Sequence, residues 1–142
     1  MPIAYRCDPR QRLIIDVYDG DVSFEEWRDH IAGILDDPAW RATTKSLSDM
    51  SQARLAPLTD EQRSEMHALF ATQLLRAAGR PMAIIGGGSP TTERAIERDA
   101  IARLGARLIV FTSLTTACIW LSVDEPPVAA MIAELRDALR SV

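Results

Sequence analysis

Alternation with a period of two marks the first clear strand. Between Arg12 and Tyr18, the residues Leu13, Ile15 and Val17 fall on one side of an extended segment. A shorter strand over about Ile3 to Asp8 precedes it and is expected to pair with it as a hairpin. Asp19-Gly20-Asp21 then supplies turn chemistry that ends the strand. From Ser23 the period changes: Phe24, Trp27, Ile31, Ile34 and Leu35 recur at helical spacing. Ser23 and Glu26 have capping-box spacing, Val22 and Trp27 the spacing of a hydrophobic staple, and Pro38 stops the helix by Asp37.

Thr44 to Met50 reads as a strand anchored by Leu47, followed by a loop from Ser51 to Leu58 that contains Pro57. Thr59 and Gln62 form a second capping box, opening a helix to about Ala78 that buries Met66, Phe70, Leu74 and Ala77, with Gly79 as its C-terminal cap. Met82–Ile85 and Leu108–Phe111 are uninterrupted apolar runs, the signature of strands covered on both faces. Between them, 90–104 reads as a helix with Ile96, Ala100 and Leu104 on one side; Arg94, Glu97, Arg98 and Arg103 make its solvated face. A short helix over Leu114 to Leu121 and a last one over Pro127 to Arg140 finish the chain. The last carries Val128, Met131, Ile132, Leu135 and Leu139 on its inner stripe. This order predicts an α/β fold with a mixed, mostly parallel five-stranded sheet packed with helices.

Composition narrows the function classes. With 142 residues and 47% apolar side chains, one domain spanning 1–142 is expected. A net charge of −4, with scattered basic residues, gives no electrostatic reason to expect a nucleic acid partner. No apolar stretch approaches the ~20 residues of a membrane helix, and Met1 to Asp8 lacks the apolar core of a secretory signal, so the cytoplasm is the expected location. Cys7 and Cys118 lack metal-knuckle or redox spacing and read as reduced packing residues.

Four segments, in this order and spacing, resemble the STAS-like family in its SpoIIAA-like branch. They are Asp19-Gly20 with Ser23-Phe24-Glu25-Glu26-Trp27; Leu47-Ser48-Asp49; Arg80-Pro81-Met82-Ala83-Ile84-Ile85-Gly86; and the spaced set Phe111, Ala117, Trp120 and Leu121. The resemblance implies a regulatory or binding role rather than a reaction. Sigma-factor antagonists of that family are switched by phosphorylation of a serine in an Asp-Ser-Ser-Gly-like turn after the third strand. Here the strand runs into Asp49-Met50-Ser51-Gln52-Ala53-Arg54, without that turn, and Ser51 is the nearest candidate by position. Asp49 and Ser51 are thus the expected switch or pocket residues.

A ligand-binding candidate follows from Gly86-Gly87-Gly88-Ser89, between a strand and a helix start. Converging backbone N–H groups there would suit an anion, although the loop lacks P-loop or dinucleotide spacing. The alternative is a tight turn capped by Ser89, with Pro90 at the first helical position. Asp16 and Asp49 could meet as a carboxylate pair; exposure of Asp16, or a hydrogen bond ending its strand, is the simpler account. His30 and His67 have no ligand partner at helical spacing and are expected at surface or boundary positions, so no metal site is expected. Trp27 and Trp120 fall on apolar stripes, whereas Trp40 is less obviously buried and could anchor a partner or dimer contact. Leu69 and Leu75 widen the apolar face of the second long helix, which could cover the core, line a groove or form a dimer interface.

No nucleophile–base pair, metal cluster or cofactor fingerprint stands out, so no catalytic residue and no cofactor are expected. The leading expectation is a non-enzymatic module acting on a protein partner or a small molecule, with homodimerisation left open. The rival is a small enzyme or carrier binding an anionic phosphate or nucleotide, or a lipid.

Overall fold

A computed structural model describes residues 2–76, 80–87 and 107–141, without the side chains of 70–76. Five strands form one sheet in the order β1-β2-β3-β4-β5. They are β1 (Ile3–Asp8), β2 (Leu13–Val22), β3 (Lys45–Leu55), β4 (Pro81–Ile85) and β5 (Arg107–Phe111). β1 runs antiparallel to β2, and β2 to β5 are mutually parallel. The expected mixed, mostly parallel sheet is therefore present. Met82–Ile85 and Leu108–Phe111 lie side by side as expected, but β5 is an edge strand and its Ile109, Val110 and Phe111 are only half-buried.

The described helices are α1 (Phe24–Asp36), α2 (Pro38–Arg41), α3 (Asp60–Arg76), α4 (Leu114–Leu121) and α5 (Glu125–Arg140). Right-handed crossovers between parallel strands taken in monotonic order all land on one face of a sheet. α1 and α3 lie on that face, where Ile14, Tyr18, Trp27, Ile31, Met50 and Met66 share one core. α4 and α5 follow the last strand and cover the other face. There Leu13, Ile15, Val17, Leu47 and Ala83 pack on Ala117, Leu121, Val128 and Ile132. β2 is sealed from both sides, and every residue from Leu13 to Tyr18 is buried.

Local signals set the helix starts. The amide of Glu26 donates to Ser23 Oγ at 3.1 Å and that of Ser23 to Glu26 Oε1 at 3.0 Å, completing the first capping box. Thr59 and Gln62 reproduce it for α3, at 3.1 and 3.0 Å. Pro38 ends α1 but also opens α2, whose N-cap Asp37 accepts from the amide of Ala39 at 2.9 Å. α5 starts at Glu125, slightly before the expected Pro127.

Two boundaries differ from expectation. Asp19-Gly20-Asp21 does not end β2: a register shift between Val17 and Asp19, with Gly20 at φ 78°, carries the strand on to Val22. Glycine tolerates that left-handed conformation, so the segment bends without leaving the sheet. In consequence β3 also continues, and 51–55, expected as loop, pairs with the extension. The expected helix over 90–104 and the Gly79 cap lie outside the described residues.

Leu47 is fully buried at the centre of the sheet. Leu47→Ala is expected to lower the unfolding free energy by about 3 kcal/mol, measured by denaturant titration; a change of a few tenths would contradict this core.

Candidate functional site

β4 and β5 end level with Asp49, where Val17 pairs with Asp49, Asp49 with Ile85, and Ile85 with Phe111, while β2 and β3 run on as a paired extension to Val22 and Leu55. Beyond that level the strand ends form a rim, the place where α/β sheets commonly hold ligands. Asp49 Oδ1 accepts from the Ser51 amide at 3.0 Å and from the Ser51 hydroxyl at 2.6 Å. Its Oδ2 accepts from Arg136 Nη2 of α5 at 3.0 Å. Gly86 and Gly87 leave β4 directly beside this group. A Cβ on Gly87 would stand 3.2 Å from the Ser51 carbonyl oxygen, so a side chain there would press on the Ser51 backbone. The structure thus brings Asp49, Ser51, Gly86 and Gly87 together, while Gly88 and Ser89 lie outside the described residues.

The Gly86 N–H donates to the Phe111 carbonyl at 2.9 Å, extending the β4–β5 ladder. That removes one of the amides an anion nest would use.

Sequence reading missed the basic half of the rim. Arg140 grips Asp19 with two bonds, Nε to Oδ2 at 3.0 Å and Nη2 to Oδ1 at 2.9 Å. Arg136 Nε stands 3.8 Å from Asp19 Oδ1. The hydrogen bonds from Arg140, reinforced by the charges of Arg140, Arg136 and Arg54, hold the Asp19 carboxyl below the usual carboxylate range against the opposing effect of burial. The available signal was the spacing of Arg136 and Arg140, four residues apart on one helix face.

Asp16 and Asp49 do not meet. Asp16 pairs in register with Ser48, and Asp49 with Val17, so the two carboxylates point to opposite faces of the sheet. Nor is Asp16 exposed: it is buried on the α1 face, where Oδ2 accepts from the Tyr18 hydroxyl at 3.1 Å and contacts His30 Nε2 at 2.9 Å. His30 is expected at a surface or boundary position; the residue is half-buried, but its side chain turns inward. Its side chain is only 6% exposed, held edge-on by the rings of Tyr5 and Tyr18. His67 is half-buried, as a boundary residue should be.

Trp40 is buried, with the Arg80 guanidinium 4.7 Å from its ring centroid. A cavity of about 60 Å³ opens beside it, between α1 and β2 to β4. Cys7 and Cys118 are free; burial raises the Cys7 thiol and pushes Cys118 up to about 11, leaving the latter a protonated packing group at neutral pH. Among the described residues no group of three or more His, Cys, Asp or Glu side chains could hold a metal, and no helix is long and apolar enough to cross a membrane.

No protein-family model matches the sequence, and a comparison with curated proteins gives no match. Solved structures do match. One is an uncharacterised protein of the DUF3478 family from Shewanella loihica PV-4, itself described as having a SpoIIAA-like fold. It aligns at a TM-score of 0.59 and 19% identity, over 84% of this chain and 93% of that one. Another is the anti-sigma factor antagonist SpoIIAA in its unphosphorylated form, at a TM-score of 0.50 and 13% identity, over 84% of this chain and 97% of that one. The chain has a SpoIIAA-like, STAS-like fold.

Asp19 supplies a pH test of the rim. Its folded pKa lies below the unfolded value of ~3.9, so its contribution is complete above that value and lost as pH falls through the folded one. The stability gap between the wild type and Asp19→Asn is expected to hold from about pH 7 to about pH 5 and to close below about pH 4. Urea unfolding across this range measures it; a gap undiminished in acid would contradict the pairing.

Proposed function

We propose that the chain is a single-domain, non-enzymatic regulatory module of the cytoplasm that presents the rim around Asp49, Ser51 and Gly87 to a protein partner. The observation that carries this reading is the packing of Gly87 against Ser51, whose hydroxyl and amide are both fixed by Asp49. A short, rigid, partly exposed ledge of this kind suits recognition of another surface. Among the described residues the group that meets the Ser51 hydroxyl is the Asp49 carboxylate, which is already paired with Arg136, and His30 lies on the opposite face of the sheet. Likeness to an anti-sigma factor antagonist supports the regulatory class, and Ser51 is the position at which a switch would act. A phosphoryl group on Ser51 would stand beside Asp49, so repulsion there would disturb the ledge and its neighbour Gly87.

Photo-crosslinking in cells tests the reading. A benzoylphenylalanine at exposed Gln52, on the rim, is expected to trap a discrete protein adduct, and one at exposed Arg10, at the other end of the sheet, is not. Adding Gly87→Glu to the Gln52 probe should abolish the adduct. Equal trapping from both positions, or none from Gln52, would contradict the proposal.

A further inference from the structure

Among the described residues, Arg80 Nε, in the guanidinium stacked on the Trp40 ring, is buried without a hydrogen-bond partner, as are two further groups, the indole Nε1 of Trp40 and the hydroxyl of Ser46. Trp40 and Ser46 line the cavity between α1 and β2 to β4. Trp40 is itself only 4% exposed. Folded chains rarely strand an interior donor in this way, because burial strips its water without replacing the bond. The register explains the clustering. Ile14 pairs with Ser46 and Asp16 with Ser48, so Asp16, Ser46 and Ser48 share this face. Asp16 Oδ2 is taken by Tyr18 and His30, and no bond to Oδ1 is formed among the described residues. Ile31 and Ile34 of α1, with Met50 and Met82 of the sheet, make the apolar wall. At about 60 Å³ the space holds on the order of four waters, or one small organic molecule.

We infer that this cavity is a binding site for a small uncharged molecule carrying a carbonyl and an N–H or O–H donor on a short apolar body. The carbonyl oxygen receives Trp40 Nε1 and the Ser46 hydroxyl, the donor goes to Asp16, and the body packs on Ile31, Ile34 and Met50. Charge selects for neutrality. Among the described residues the lining carries one carboxylate, Asp16, while the Arg80 guanidinium stands over the Trp40 ring, so an ion of either sign meets a like charge and a neutral molecule does not. The site opens on the α1 face, whereas Asp49 and Arg136 lie on the α5 face, so it stands independently of the proposed partner rim.

Propanamide and propanoate, nearly the same shape and differing in charge, test the inference on the full chain labelled with ¹⁵N. The chain has three tryptophans, and the Trp40 indole signal is assigned by its loss in Trp40→Phe. Propanamide is expected to displace that signal saturably, with a Kd on the order of 10 mM, and propanoate to leave it in place. Ser46→Ala should weaken propanamide about fivefold, with an unchanged Trp120 signal showing that the variant folds. Absence of a saturable shift in the wild type, meaning ordered water only, would overturn the inference. So would equal binding of the two probes.

Discussion

A strand buried on both faces has no solvent side on which to place a charge, and β2 carries an aspartate at its centre. A buried carboxylate left without a partner costs several kcal/mol, and removing one member of a buried pair costs about 3–5 kcal/mol. Asp16 is accommodated because Tyr18 and His30 both reach Oδ2. His30 comes from α1, so the pair ties that helix to the centre of the sheet. The tie is extended sideways: Tyr5 of β1 sits edge-on to His30 and donates its hydroxyl to Asp37 at the end of α1. That bond, with burial and the Asp37 charge, pushes Tyr5 up to about 12, and burial raises Tyr18 well above its ordinary value. Both phenols therefore remain donors at neutral pH.

The same alternation that turns Asp16 toward α1 turns Asp49 toward α5, where Arg136 and Ser51 receive it. One sheet thus keeps two buried carboxylates apart and gives each a different environment. On the α1 side the carboxylate borders a cavity with unmade hydrogen bonds; on the α5 side it organises a ledge at the strand ends. The ion pairs differ in weight. Arg136 and Asp49 are mostly buried, whereas the Arg54–Asp21 pair is exposed at both ends, where solvent screening reduces such contacts to about 1 kcal/mol or less.

Features fixed by near neighbours were legible in the sequence. Both capping boxes, the stop at Pro38 and the apolar stripes of α1 and α5 depend on residues a few positions apart, and all were found where the spacing placed them. The rim residues Asp49, Ser51, Gly86 and Gly87 could be named from their place after the apolar anchors of β3 and β4, although Asp49 and Ser51 lie within β3 rather than at its end. What escaped depends on tertiary packing. Periodicity put Asp16 opposite Leu13, Ile15 and Val17, but nothing local states that the second face is buried too. Asp19-Gly20-Asp21 has the composition of a turn; only its pairing with β3 makes it a bulged strand. Trp40 follows a helix stop, and α2 is too short to announce itself by period.

The central claim is that Asp16 and His30 act as one buried unit joining α1 to β2. A double-mutant cycle with Asp16→Asn, His30→Gln and the combined variant, read by denaturant unfolding, tests it most directly. The account predicts a coupling energy of about 1–3 kcal/mol. Additivity of the two single changes within about 0.3 kcal/mol would contradict it.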